Sequence, residues 1–291
     1  MSCPDCKRGT ILEGDPKGVI SDINGAYFTP APGEATTKRA IIFLTDAFGL
    51  PLVNSKLLAD MFAERLACDV WVPDLFDGVP IVGVNQLELP VRAGLKRSLW
   101  ARISMILRLL PSIPAFYRSR PSVAFARLEA FIHKLQTEKH YDQLGAVGYC
   151  FGGSMAAMLA ATDHIKSAVV AHPGSLTPQQ INAIKVPVSW VCAEEDDSFN
   201  SAQRDQAEAL LAGRKGKENS VEYEFETYKG THAHGTLKCK YSNTRISAAS
   251  YFTDTCHGFG ARPDLSIPEI KAAHEKANVQ IVNWFNKTLL A

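Results

Sequence analysis

The chain has 291 residues and a formal net charge of +1, with 31 basic against 30 acidic side chains. Such an even balance offers no electrostatic basis for nucleic-acid binding and suits small neutral or singly charged ligands. The hydrophobic content of 46% matches a globular chain with a sizeable core, and no run approaches the roughly 18 apolar residues of a membrane span.

The first residues, Met1-Ser2-Cys3-Pro4-Asp5-Cys6, lack the charged-then-apolar pattern of a secretion signal. A cytoplasmic protein without stable membrane association is therefore expected. Its seven irregularly spaced cysteines then read as free thiols. Cys3 and Cys6 lack the second ligand pair that a zinc site needs.

Arg39 to Leu44 is a short run of β-formers that predicts a strand buried on both faces. Asn54 is expected to cap a helix over Lys56 to Ala67, and Asp69 to Pro73 is the next strand. From Pro90 to Arg120 the pattern changes. A basic amphipathic stretch, Leu95 to Arg108, is followed by Pro111, Pro114 and Pro121, and predicts a cap-like or core-packed segment at about 90–120. Helical spacing returns over Ser122 to Gln136. A strand at Leu144 to Gly148 and a helix of small residues at Gly153 to Ala161 follow. Further strands are expected at Ala168 to Ala171, Val188 to Cys192 and Val221 to Thr227, with helices at Ser201 to Leu211 and Pro268 to Leu289. Helix alternating with strand throughout predicts one α/β domain over 1–291, a doubly wound, mostly parallel sheet flanked by helices.

Between the strand ending at Gly148 and the next helix stands Gly148-Tyr149-Cys150-Phe151-Gly152-Gly153. This is the layout of a nucleophile elbow with Cys in place of Ser. A nucleophile on so tight a turn needs neighbours with little or no side chain, which the glycines provide. The thiol would then lie at a helix N-terminus, whose dipole favours thiolate. The Phe151 N–H would point at an oxyanion.

With these residues the sequence resembles the dienelactone hydrolase family, most closely its fungal branch, over nearly the whole chain. The resemblance rests on Leu44-Thr45-Asp46-Ala47-Phe48-Gly49, the cysteine elbow, Ala193-Glu194-Glu195-Asp196 and His257-Gly258-Phe259-Gly260-Ala261-Arg262. It implies an α/β-hydrolase fold and a Cys-His-Asp triad. It places the acid at Asp196, with Asp197 as nearest rival, and the second oxyanion N–H at Ala47. Asp46 takes the place of a carboxylate that holds the resting thiol, although the family's archetypes carry Glu there. Arg262 takes the place of an arginine that binds the substrate carboxylate.

The base is the harder assignment. Among eight histidines, His133, His140, His164 and His274 lack motif context, and His172 reads more readily as a buried structural residue. His232, His234 and His257 remain. The resembled family runs from Tyr-x-Gly-Thr almost directly into His-Gly-Phe, whereas here 232–255 separates Tyr228-Lys229-Gly230-Thr231 from Cys256-His257-Gly258-Phe259. Excising 232–255 restores the phrase, so this segment reads as an in-frame insertion, for which a retained intron is one origin. His257 is the expected base on motif completeness, with His234 as its rival.

The expected activity is cleavage of a lactone or ester of a small organic acid through an acyl-enzyme, by a monomer or homodimer that needs no metal or organic cofactor. Two alternatives stay open on sequence. One is a thioesterase or general carboxylesterase acting on a metabolic acyl intermediate. The other is a non-catalytic hydrolase-like binding protein disabled by the insertion.

Overall fold

A computed structural model describes residues 11–33, 37–84, 113–196, 198–232, 258–266 and 268–290. Cys3 and Cys6, the basic stretch at 95–108, Asp197, His234 and His257 lie outside the described residues. So do most of the cap-like segment and of the insertion.

Eight strands form one sheet: β1 (Val19–Ile20), β2 (Tyr27–Thr29), β3 (Arg39–Leu44), β4 (Asp69–Val72), β5 (Gln143–Tyr149), β6 (Ser167–Ala171), β7 (Val188–Glu195) and β8 (Tyr223–His232). Their order is β1-β2-β4-β3-β5-β6-β7-β8. Only β1 and β2 run antiparallel; β4 to β8 and β3 pair in parallel. The helices are α1 (Val53–Leu66), α2 (Ile113–Arg118), α3 (Pro121–Lys139), α4 (Phe151–Leu159), α5 (Pro178–Asn182), α6 (Ser201–Ala212) and α7 (Pro268–Thr288). This is the expected doubly wound α/β-hydrolase arrangement.

Alternation along the strands explains why the central runs are continuously apolar. Ile42 and Leu44 of β3, with Ala146 of β5, join a core layer with Leu128 and Phe131 of α3, Met155 of α4 and Leu211 of α6. Their neighbours Ile41, Phe43 and Val147 point the other way, into a layer with Leu58 and Phe62 of α1 and Ile281 and Phe285 of α7. A parallel strand covered by helices on both faces is apolar on both, apart from polar side chains that find a partner there. Full burial of each Phe or Ile in these layers contributes about 1.5–3 kcal/mol.

The α1 expectation needs one correction. The helix begins at Val53, and its cap position is Leu52, which makes no side-chain cap bond. Asn54 lies inside the first turn, fully buried. Its Oδ1 accepts from the Leu12 N–H at 2.9 Å and its Nδ2 donates to the Ala261 carbonyl at 3.0 Å. Capping statistics lost here to two long-range bonds. The last strand also starts later than expected, at Tyr223 rather than Val221, and runs on to His232. Among the described residues no helix is long and apolar enough to cross a membrane.

Candidate active site

The C-terminal ends of β3, β5, β6 and β7 lie side by side, and the loops leaving them bring together most of the described residues singled out above. Ligands of open α/β sheets bind at this edge.

Cys150 sits between β5 and α4 with φ 54° and ψ −114°, a conformation that L-residues adopt only under constraint. Three backbone bonds supply the constraint. The Cys150 N–H donates to the Ala171 carbonyl at 3.0 Å, and the Cys150 carbonyl accepts from Ser154 and Gly174, each at 3.2 Å. Close packing does the rest. A Cβ on Gly148 would stand 2.0 Å from the Gly152 carbonyl oxygen, and one on Gly152 would stand 2.1 Å from that of Leu44. The two glycines therefore let β5, α4 and the end of β3 touch backbone to backbone. The Cys150 side chain is half-buried. By contrast, burial pushes the Cys68 and Cys192 thiols up to about 12, which leaves both inert at neutral pH.

The loop after β3 folds tightly. Asp46 Oδ1 accepts from the Phe48 N–H at 3.1 Å, and the Gly49 N–H donates to the Asp46 carbonyl at 3.1 Å. Ala47 follows the buried Asp46 and is itself half-buried. Phe151, which opens α4, packs on Phe76 with ring centroids 5.3 Å apart.

Asp46, in the place of the thiol-holding carboxylate, and Arg262, in the place of the substrate-binding arginine, hold each other. Arg262 Nε donates to Asp46 Oδ2 at 2.9 Å, with the two side chains 9% and 2% exposed. The guanidinium also lies over the Phe48 ring, 4.5 Å from its centroid. A charge pair this deeply covered is held far more rigidly than a surface bridge.

Asp196 follows β7 and is 4% exposed. Its Oδ1 accepts from the N–H groups of Ser198 at 2.8 Å and Phe199 at 3.0 Å.

The turn Gly258 to Arg262, immediately after His257, is tied to both helices of its layer. Besides the Asn54 bond to Ala261, His274 of α7 donates from Nδ1 to the Phe259 carbonyl at 3.1 Å. The Asn278 amide donates to His274 Nε2 at 3.0 Å. Burial lowers the His274 pKa and keeps the ring neutral. Sequence reading passed over both anchors. His274 carries no motif, and Asn54 resembled a cap; only their long-range partners reveal the role. His172 is fully buried, with its ring between those of Tyr149 at 5.8 Å and Phe259 at 5.6 Å.

Comparison with known proteins identifies the family and the fold. The model of the dienelactone hydrolase family matches residues 24–289. The hydrolase pyvD of Aspergillus violaceofuscus is 27% identical over 285 residues, covering 98% of this chain and 96% of its own. The carboxymethylenebutenolidase homolog of Mus musculus is 26% identical over 290 residues, covering 98% and 96%. In fold, the chain resembles the crystal structure of a Klebsiella pneumoniae protein assigned as a dienelactone hydrolase. That match has a TM-score of 0.57 and 14% identity, over 89% of this chain and 91% of the other. The chain belongs to the dienelactone hydrolase family and is a carboxylic ester hydrolase.

Proposed function

We propose that the chain hydrolyses a lactone or ester of a small organic acid through a thioester acyl-enzyme on Cys150, with His257 as base and Asp196 as the acid that orients it. The observation that carries this reading is the constrained backbone of Cys150, at φ 54° between β5 and α4. Such strain persists only where the surroundings impose it, and here it presents a thiol at a strand-to-helix turn.

The thiolate attacks the carbonyl carbon, and the charge that develops on the carbonyl oxygen is met by the N–H groups of Phe151 and Ala47. His257 returns a proton to the leaving alcohol and then takes one from the water that releases the acid. Asp196, nearly buried and held by two N–H groups, is suited to fix the imidazole's orientation because it has little freedom of its own.

Arg262 supports a preference for substrates that carry a carboxylate, since a guanidinium binds carboxylates through a planar fork. Its present partner is Asp46, so a substrate carboxylate would compete with that side chain. The reading also takes 232–255 as an insertion. The rings of Tyr228, before it, and Phe259, after it, are 5.5 Å apart, which brings residues on either side of the segment into contact.

The test is Cys150→Ala, assayed on p-nitrophenyl acetate and a panel of lactones, with intact-mass analysis of the native enzyme during turnover. Turnover should vanish with folding retained, and an acyl adduct should map to Cys150. Undiminished turnover in the variant would overturn the assignment.

A further inference from the structure

We infer that Arg204 is a positioning residue for the catalytic acid: its guanidinium clamps both sides of the loop that carries Asp196. The inference rests on the assignment of Asp196 above and identifies what holds that residue in place.

The need for a clamp begins in the sheet. The pairing of β7 with β8 is regular from Val188 to Ala193 and then shifts register between Ala193 and Glu195. A bulge of this kind bends the strand and takes carbonyl groups out of the ladder. Buried carbonyls without a donor are costly. Arg204, in the first turn of α6 and only 9% exposed, supplies the donors.

Its Nη1 donates to the Ala193 carbonyl at 2.5 Å and its Nη2 to the Glu194 carbonyl at 2.9 Å, both on the entering side of the loop. Nη1 also reaches the Phe199 carbonyl at 3.4 Å, on the leaving side. Asp196 lies between these points. One rigid, planar group thus joins the two ends of the acid loop, a geometry that the single ammonium of lysine cannot reproduce.

The base of the clamp is fixed as well. Asn200 and Gln203 form a reciprocal capping box that sets the start of α6, with bonds of 3.1 and 2.9 Å. Arg204 therefore reaches the loop from a helix whose first turn cannot swing.

The experiment combines Arg204→Met and Arg204→Lys with Asp196→Asn in the full-length chain. Arg204→Met should lower kcat on p-nitrophenyl acetate by ~10²-fold, the effect of misplacing a catalytic group by about 1 Å, with KM little changed. In the Asp196→Asn background the same substitution should produce no further loss. A merely structural role would instead multiply the two effects. A Glu-specific protease should also cleave after Glu194 or Glu195 faster in Arg204→Met than in the parent. Should Arg204→Met not fold, Arg204→Lys carries the same cycle. Multiplicative effects, or cleavage at the parent rate, would overturn the proposal. Parent activity in Asp196→Asn alone would count against the acid assignment, and the cleavage rates would then still decide whether Arg204 orders the loop.

Discussion

Removing Asp46 tests how the loop after β3 is held. In Asp46→Ala the Arg262 guanidinium, whose side chain is 9% exposed, loses the carboxylate 2.9 Å from its Nε. Breaking a buried pair from one side costs about 3–5 kcal/mol, because a charge is left without its partner. The Phe48 N–H loses its acceptor too, for about 1 kcal/mol more. Arg262 keeps its seat over the Phe48 ring in both forms, so that contact does not change the sum. The expected destabilisation is about 4–6 kcal/mol, measured as a shift of the urea midpoint at constant slope. Arg262→Met removes the stranded charge, so the double variant should be more stable than the sum of the single losses by about 2 kcal/mol. Asp46→Asn keeps an acceptor for one of the two donors, since Phe48 uses Oδ1 and Arg262 uses Oδ2, and should cost less than Asp46→Ala. A coupling between the two positions within about 0.5 kcal/mol of zero would refute the pairing as a stabilising element.

Two further outcomes follow from the same loops. Gly152→Ala would set a methyl group 2.1 Å from the Leu44 carbonyl oxygen and 2.5 Å from that of Thr45. It should cost about 3 kcal/mol or more and abolish ester turnover, and a variant as stable and active as the parent would contradict the close contact of the elbow with the end of β3. His274 is held neutral by burial, so its folded pKa lies below the unfolded value of about 6.5. The unfolded chain binds the extra proton below that pH, so His274 makes stability rise with pH up to about 6.5 and fall as the solution is acidified. Urea unfolding of His274→Gln between about pH 5 and 7.5 should show a flatter slope than the parent; identical slopes would exclude the buried neutral histidine.

The features legible in the sequence are those whose physics is local. Burial of β3 and β5 on both faces leaves an uninterrupted apolar run, and α3 and α7 repeat their apolar residues every third or fourth position. The elbow is legible for the same reason, since the glycines that permit the Cys150 turn lie within a few residues of it. Strands β1 and β2 were not foreseen. At two and three residues they are too short to show a period, and Val19 and Ile20 face solvent. The roles of Asn54, Arg204 and His274 were illegible because each depends on a partner supplied by another element. The Asp46–Arg262 contact spans most of the chain, and neither residue's neighbours announce the other.

The placement of these anchors bears on the proposed insertion at 232–255 and the proposed base, His257. Tyr228, before 232–255, donates its hydroxyl to Gln280 of α7 at 2.7 Å. Phe259, after it, has its carbonyl bound by His274 of the same helix. One helix therefore holds a residue on either side of the segment, and the rings of those two residues are in contact. The entropy of closing a loop between fixed ends grows only with the logarithm of its length. Added residues at this point therefore cost little in stability, while the turn from Gly258 to Arg262 keeps its ties to Asn54, Asp46 and His274. These ties fix the turn that the proposed base, His257, precedes in sequence, whatever the length of chain before it.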